Sequence, residues 1–303
     1  MFRERRAFLK ASAAAPLALS LQSKTIAARP RLGVVIGVAE QNPDQAIAKV
    51  HALGFPTCQL HVGMAPSSLA APLKEALSKY EVDATAVMTL GSGRMVWDFY
   101  EGPKTIGLVP PSTRAARIDA LKRASDLAKR CEIGAVHTHC GFIPEDPSDP
   151  LYPQAVSAIK DVARHCKQNG QIFLMETGQE TPITMLRAIQ DTGLDNVYVN
   201  LDTANLILYG KGEPVGALDV IGTRVRGLHA KDGLYPTDPR KLGKEVPIGK
   251  GRVNFPELMR RLRQVSYSGP ITIEREISGL QQEADIRSSK AYLERLIERE
   301  YGQ

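Results

Sequence analysis

The feature that most constrains this chain is an alternation that runs through most of its length. Short runs rich in Val, Ile and Thr, bounded by Gly, Pro or an acid, predict strands near Leu32–Val38, Thr57–Val62, Ala84–Leu90 and Ala135–His139. Four more are predicted near Gln171–Glu176, Val197–Asp202, Val225–His229 and Ile271–Glu274. The segments between them repeat apolar residues every three or four positions, as in Ile118, Leu121, Ala124, Leu127 and Cys131, or Val156, Ile159, Val162, Ala163 and Cys166. Phe255, Leu258, Met259, Leu262 and Val265 repeat the pattern behind Asn254, an expected N-cap, and Pro256, which falls in the first turn where a missing N–H is harmless. Strands alternating with helices imply a parallel sheet covered by helices. Eight such units predict an α/β fold, a single (β/α)8 barrel over residues 29–303, with its active site at the C-terminal ends of the strands. An open doubly wound sheet is the alternative, but no G-x-G-x-x-G follows the first strand.

Residues 1–28 have a different character. Arg3, Arg5, Arg6 and Lys10 precede an apolar run from Ala11 to Leu21, and Ala27-Ala28 offers a cleavage site. The run is too short to span a bilayer, which takes about 20 residues. Arg5-Arg6-Ala7-Phe8-Leu9-Lys10 resembles the twin-arginine export motif, with Glu4 where a Ser or Thr is usual. The expectation is an exported, periplasmic or extracytoplasmic protein with no stable membrane anchor after cleavage. The segment carries five basic residues and one acid, so its removal lowers the formal charge from +6 to +2. The basic character thus lies largely in the leader, which argues against a nucleic-acid partner. Cys58, Cys131, Cys140 and Cys166 form no C-x-x-C pair, so buried thiols are expected in place of a zinc or redox motif.

Four consecutive predicted strands end in residues of metal-ligand type: Glu176, Asp202, His229 and Glu274. A carboxylate closing an apolar strand is costly to bury unless it is paired or metal-bound. Separate ion pairs would account for one such residue, but four at one rim carry about −3 at neutral pH and call for a divalent cation. Oxygen-rich ligation with one nitrogen suits one ion of Mn²⁺ or Mg²⁺, with Co²⁺ and Zn²⁺ as further possibilities.

The Glu, Asp, His, Glu order resembles the xylose-isomerase-like sugar isomerase/epimerase superfamily. The segments Glu176-Thr177-Gly178-Gln179-Glu180, Asp202-Thr203-Ala204-Asn205 and His229-Ala230-Lys231-Asp232-Gly233 are similar to motifs of its sugar phosphate isomerase/epimerase members. So are Pro247-Ile248-Gly249-Lys250-Gly251 and Ile273-Glu274-Arg275-Glu276. The resemblance implies a metal that binds a substrate carbonyl and hydroxyl, with Glu176 and Glu274 as both ligands and proton carriers on opposite faces of one carbon, acting through an enediolate. The substrate would be a small sugar or keto-sugar.

His139, Lys231, His61 and Trp97 are the substrate-binding candidates. His139 shares a strand face with His137, and a packed core histidine is the competing reading for both and for His61. For Lys231 the competing reading is a surface ion pair with Asp232. Trp97 lies in a long connection, Gly91 to Ser112, with Phe99 and Tyr100. A second long connection runs from Asp232 to Val253. Such loops serve as lids over a barrel mouth, or as packing or contacts in a homo-oligomer. Gly249 and Gly251 are expected to shape a loop, since no G-K-[ST] follows.

Three other functions compete. A lyase or hydrolase acting on 3-keto-glycosides would use the same metal site. A non-catalytic sugar-binding module would bind without turnover. The endonuclease branch of the superfamily carries D-x-x-H where this chain has Asp202-Thr203-Ala204-Asn205, and D-x-H where the nearest match is Asp238-Pro239-Arg240, so it lacks two expected histidines. The export expectation is testable directly: replacing Arg5 and Arg6 with Lys should leave precursor in the cytoplasm, and normal appearance in the periplasm would rule out the twin-arginine route.

Overall fold

The computed structural model describes residues 28–302. The expected leader, up to Ala27, lies outside the described residues. Eight parallel strands form a closed barrel: β1 (Leu32–Val38), β2 (Thr57–Val62), β3 (Asp83–Met88), β4 (Ala135–Thr138), β5 (Ile172–Glu176), β6 (Val197–Asp202), β7 (Val225–Ala230) and, after an antiparallel hairpin of β8 (Asp232–Leu234) and β9 (Lys244–Val246), β10 (Ile271–Ile273). β10 closes the ring by pairing with both β7 and β1. The predicted strands agree with those observed to within one or two residues at each end.

Helices cover the outside as their periodicity requires. Leu151–Gln168 buries Val156, Ile159, Val162, Ala163 and Cys166. Phe255–Gln264 starts at Asn254, whose side chain accepts a hydrogen bond from the Glu257 N–H, and it buries Phe255, Leu258, Met259 and Leu262. All four cysteines are buried free thiols. Among the described residues no helix is long and apolar enough to cross a membrane.

Strand alternation sorts the barrel interior into layers. Ala86, Ala135 and Leu174, with Ile172 and Tyr198, make a small apolar plug separate from the main core. Above it lie buried amides, with Gln59 Nε2 donating to Asn200 Oδ1 at 3.3 Å. Gly227 leaves room for Asn200, since a Cβ there would sit 2.4 Å from its Oδ1. Above the amides the strands end in charged groups. Two positions further along each strand, the side chain again points inward but now meets the mouth, which is why period-two spacing delivers the ligand-type residues to one place.

Candidate active site

Glu176, Asp202, His229 and Glu274 each offer a ligand atom, and these atoms all lie within 4.8 Å of one another. His229 Nδ1 is the hub, 2.9 Å from Glu176 Oε1, 3.4 Å from Glu274 Oε2 and 3.8 Å from Asp202 Oδ2. Its ring is oriented from below: Nε2 donates to Gln59 Oε1 at 2.7 Å, and the bond from Gln59 to Asn200 fixes which end of the amide faces the ring. That leaves Nδ1 toward the carboxylates. Asp202 Oδ1 accepts from the N–H groups of Ala204 and Asn205 at 2.8 and 2.7 Å, while its Oδ2 is buried without a hydrogen-bond partner. Glu176 Oε2 is likewise without one, although His137 Nε2 and His139 Nε2 each approach it at 3.0 Å. Buried acceptors left open beside a correctly turned imidazole are what a cation would complete, so the donor set fits a divalent ion.

Charge within this group is balanced by cations from the protein. Burial disfavours ionised Glu176, yet His139, His229 and His137 together hold it well below the usual carboxylate range. Burial likewise opposes ionisation of Glu274, but Lys231 and then His229 outweigh it and lower its pKa. Asp202 is pushed up to about 7 by burial, against the pull of Lys231. For His229 the order reverses: burial favours the neutral ring, but Glu274 and Glu176 raise it well above the ordinary histidine range. These carboxylates favour the imidazolium form of His229, and an Nδ1 proton would have to leave before that nitrogen could ligate a metal.

The other expected residues divide. His61, His139, Trp97 and Glu274 line one cavity of about 220 Å³, together with Met88, Glu276 and Gln282. The edge of Trp97 meets the His139 ring at a centroid distance of 5.0 Å. A larger hollow of about 400 Å³, around Arg29, Arg31, Pro56 and Lys290, lies at the opposite, N-terminal end of β1 and away from this cluster. Lys231 departs from the competing surface reading. It is buried behind Glu274 and forms no surface pair with Asp232. Its Nζ lies 2.9 Å from Glu276 Oε2, 3.1 Å from Glu274 Oε2 and 3.3 Å from Asn205 Oδ1. Asp232 is buried too, and its carboxylate accepts from the N–H groups of Gly233, Gly249, Gly251 and Val253. That closes the loop carrying Gly249 and Gly251, so these glycines serve the turn. His137 packs in the interior as expected of a core histidine, but it also stands against Glu176. Glu180 is buried with both oxygens unpartnered, and burial raises its pKa to about 8, so it is a neutral acid at pH 7.

Sequence reasoning missed Gln59, Asn200, Glu276 and Arg117. Arg117, on the helix Pro111–Arg130, is almost wholly buried and faces no carboxylate partner. Its guanidinium instead donates to four carbonyls of the Trp97 connection, those of Ser92, Arg94, Thr105 and Gly107. Asp98 Oδ1 accepts from three further N–H groups, of Tyr100, Glu101 and Gly102. Gly107 meets the Cys140 backbone so closely that a Cβ would lie 2.2 Å from it. The expected lid is thus a clamped platform that holds Trp97 at the mouth.

With this geometry in hand, the comparisons decide the family. The xylose isomerase-like TIM barrel family matches residues 47–296. The chain belongs to that family. The crystal structure of a xylose isomerase domain protein from Planctomyces limnophilus is 30% identical and superimposes with a TM-score of 0.81, covering 91% of this chain and 99% of that one. D-psicose 3-epimerase, solved in the presence of D-fructose, is 18% identical with a TM-score of 0.65 over 88% of this chain and 99% of its own. A family member from Mycobacterium smegmatis, solved in complex with magnesium, is 18% identical with a TM-score of 0.64, over 86% of this chain and 89% of its own. These last two show the shared fold. An uncharacterized protein of Methanocaldococcus jannaschii is 24% identical over 172 residues, 53% of this chain and 57% of the relative. Sugar epimerases are thus among the structural neighbours.

Two outcomes follow. Titration of the mature protein with Mn²⁺ should show one site and release about one proton, read by calorimetry in buffers of different ionisation enthalpy, and His229→Ala should lose both the release and most of the affinity. Full metal occupancy in that variant would contradict the ligand assignment. Arg117→Met should free the platform: Trp97, the single tryptophan of the chain, should become more accessible to acrylamide and lose anisotropy. Unchanged quenching would show that the clamp is dispensable.

Proposed function

We propose that this protein is a divalent-metal-dependent sugar isomerase or epimerase that moves a proton beside a carbonyl. One observation carries the reading. Glu176 and Glu274 come from strands separated by β6 and β7, reach the same imidazole at 2.9 and 3.4 Å, and are both shifted toward the ionised form, Glu176 by the histidines around it and Glu274 by Lys231 and His229. Two carboxylates converging from different strands on one site can act as a base on one side of a carbon held between them and, after taking a proton from solvent, as an acid on the other.

Glu176, Asp202, His229 and Glu274 would hold the ion, with Mn²⁺ favoured and Mg²⁺, Co²⁺ or Zn²⁺ also suited to the donor set. A bound divalent cation supplies Lewis-acid stabilisation of the negative charge that develops on the substrate oxygens. The chain's own residues do the rest. One glutamate, as the carboxylate, takes the proton and leaves an enediolate; the other first picks up a proton from solvent and then delivers it to the opposite face. Lys231 keeps Glu274 charged at 3.1 Å, and His229 stands 2.9 Å from Glu176, with His137 and His139 also beside it at 3.0 Å. His61 lines the cavity and supplies hydrogen bonds to substrate hydroxyls, while His139 presents its ring there with Nε2 toward Glu176 and Nδ1 accepting from Gln179. Asn205, standing where the endonuclease branch carries histidine, is engaged with Glu176 and Lys231.

The sugar epimerases that share the fold weigh toward this reading and not toward a lyase or hydrolase. Export through the twin-arginine route belongs to the same proposal: an enzyme folded around its ligands before export keeps a site assembled in the cytoplasm.

The test is solvent exchange. Metal-loaded protein in D2O should place deuterium at a carbon beside the carbonyl of an intact sugar, whereas release of an aglycone would favour the lyase. Glu176→Gln and Glu274→Gln should each lower turnover by roughly 10²- to 10⁴-fold with metal content measured in parallel. Exchange without inversion should survive in one of them. Near-normal turnover in both metal-replete variants would defeat the paired-glutamate mechanism.

A further inference from the structure

We propose that this cavity selects an uncharged sugar against its phosphate esters, and that Glu276 enforces the selection. The inference rests on the reading of the site given above and adds the substrate class. A phosphate group needs a cation or a cluster of donors that is not already committed. The cations here are committed. Arg275 lines the cavity, but its Nη1 lies 2.9 Å from Glu245 Oε1 and its Nε donates to Asp285 Oδ2 at 2.8 Å. Lys231 lies between Glu276 and Glu274, at 2.9 and 3.1 Å. Each positive group therefore already faces two carboxylates.

The lining is anionic on that side. Glu274 and Glu276 both face the cavity, and Glu276, just beyond β10, keeps more than half of its side chain exposed to solvent. Glu176, Asp202, Glu274 and Glu276 together with Lys231 and a divalent cation leave a net charge of about −1. A phosphate ester would add about −2 to it. The remaining wall is apolar: Val35, Met88, Leu90, Ile286 and the clamped Trp97. An indole beside a wall of aliphatic side chains suits the C–H face of a sugar ring, while His61 and Gln282 offer hydrogen-bonding atoms to its hydroxyls. A neutral polyhydroxy ketone meets every part of this lining; its phosphate ester meets a like charge.

Glu276 is the residue that sets the balance, because it both adds an anion to the rim and holds Lys231 back from the cavity. Trp97, as the single tryptophan, reports binding directly. Metal-loaded protein is titrated with D-fructose and D-fructose 6-phosphate, with D-ribulose and D-ribulose 5-phosphate, and with inorganic phosphate, reading Trp97 emission beside hydrogen exchange in D2O. In the wild type the free ketoses should bind at least about tenfold more tightly than their esters, the effect of one uncompensated like charge at a partly buried site. In Glu276→Gln the gap should shrink to less than about threefold, because ester and inorganic phosphate binding gain relative to ketose binding. Equal or tighter ester binding by the wild type, with exchange retained, overturns this proposal and leaves the isomerase reading standing. An unchanged ratio in Glu276→Gln overturns the role of Glu276. Protein that neither binds nor exchanges any of these sugars removes both readings.

Discussion

Three carboxylates and an imidazole brought within 4.8 Å at the end of an apolar barrel set the terms for the rest of this molecule. Like charges at that distance in a buried place repel strongly unless they are protonated or neutralised. The fold uses both routes. Asp202 moves toward its neutral form, while Glu176 and Glu274 stay ionised against the histidines and Lys231. A divalent cation would take over part of this work and displace the His229 proton. Protons on Asp202 and His229 and the Lys231 ammonium thus relieve the repulsion among these groups.

This constraint reaches down into the barrel. His229 can present Nδ1 to the carboxylates only if Nε2 has a partner on the other side. Gln59 supplies it, and Gln59 is aimed by Asn200. The amides in turn need space, which Gly227 provides where any larger residue would strike Asn200. A polar layer in the middle of a barrel would otherwise be a liability, since buried amides without partners cost about 1–3 kcal/mol each. Here much of that layer belongs to the support of a single imidazole.

The fold was legible because it is written in local patterns. Strand runs and helical spacings are short-range signals, and Asn254 with Pro256 marked a helix start that the structure contains. The four ligand-type residues were legible because each closes its own apolar run at the same phase. Gln59, Asn200 and Arg117 were not, because each acts through a contact with a distant segment. Gln59 lies 170 positions from His229, and nothing near either residue announces the bond. The surface pair weighed as the competing reading for Lys231 fails for a related reason. Its neighbour Asp232 offered a local partner, but adjacent residues on an extended chain point to opposite sides. Asp232 consequently caps the loop of Gly249 and Gly251, and Lys231 turns to Glu274 and Glu276, both just beyond β10.

The two long connections show how the same constraint shapes the mouth. A loop that swings must give up its backbone hydrogen bonds to water each time it moves, and loops with many such bonds satisfied internally do so rarely. Arg117 and Asp98 satisfy the Trp97 connection with a guanidinium and a carboxylate, and Asp232 satisfies the other with a second carboxylate. Each charge is spent on backbone groups and so is withdrawn from the cavity. Arg117 in particular is a cation near the mouth that no substrate anion can reach. The arrangement that fixes the platform therefore also removes a positive charge from the lining. What remains at the mouth is a rigid indole facing carboxylates whose own cations lie behind them, so that rigidity and charge selection arise from the same set of contacts.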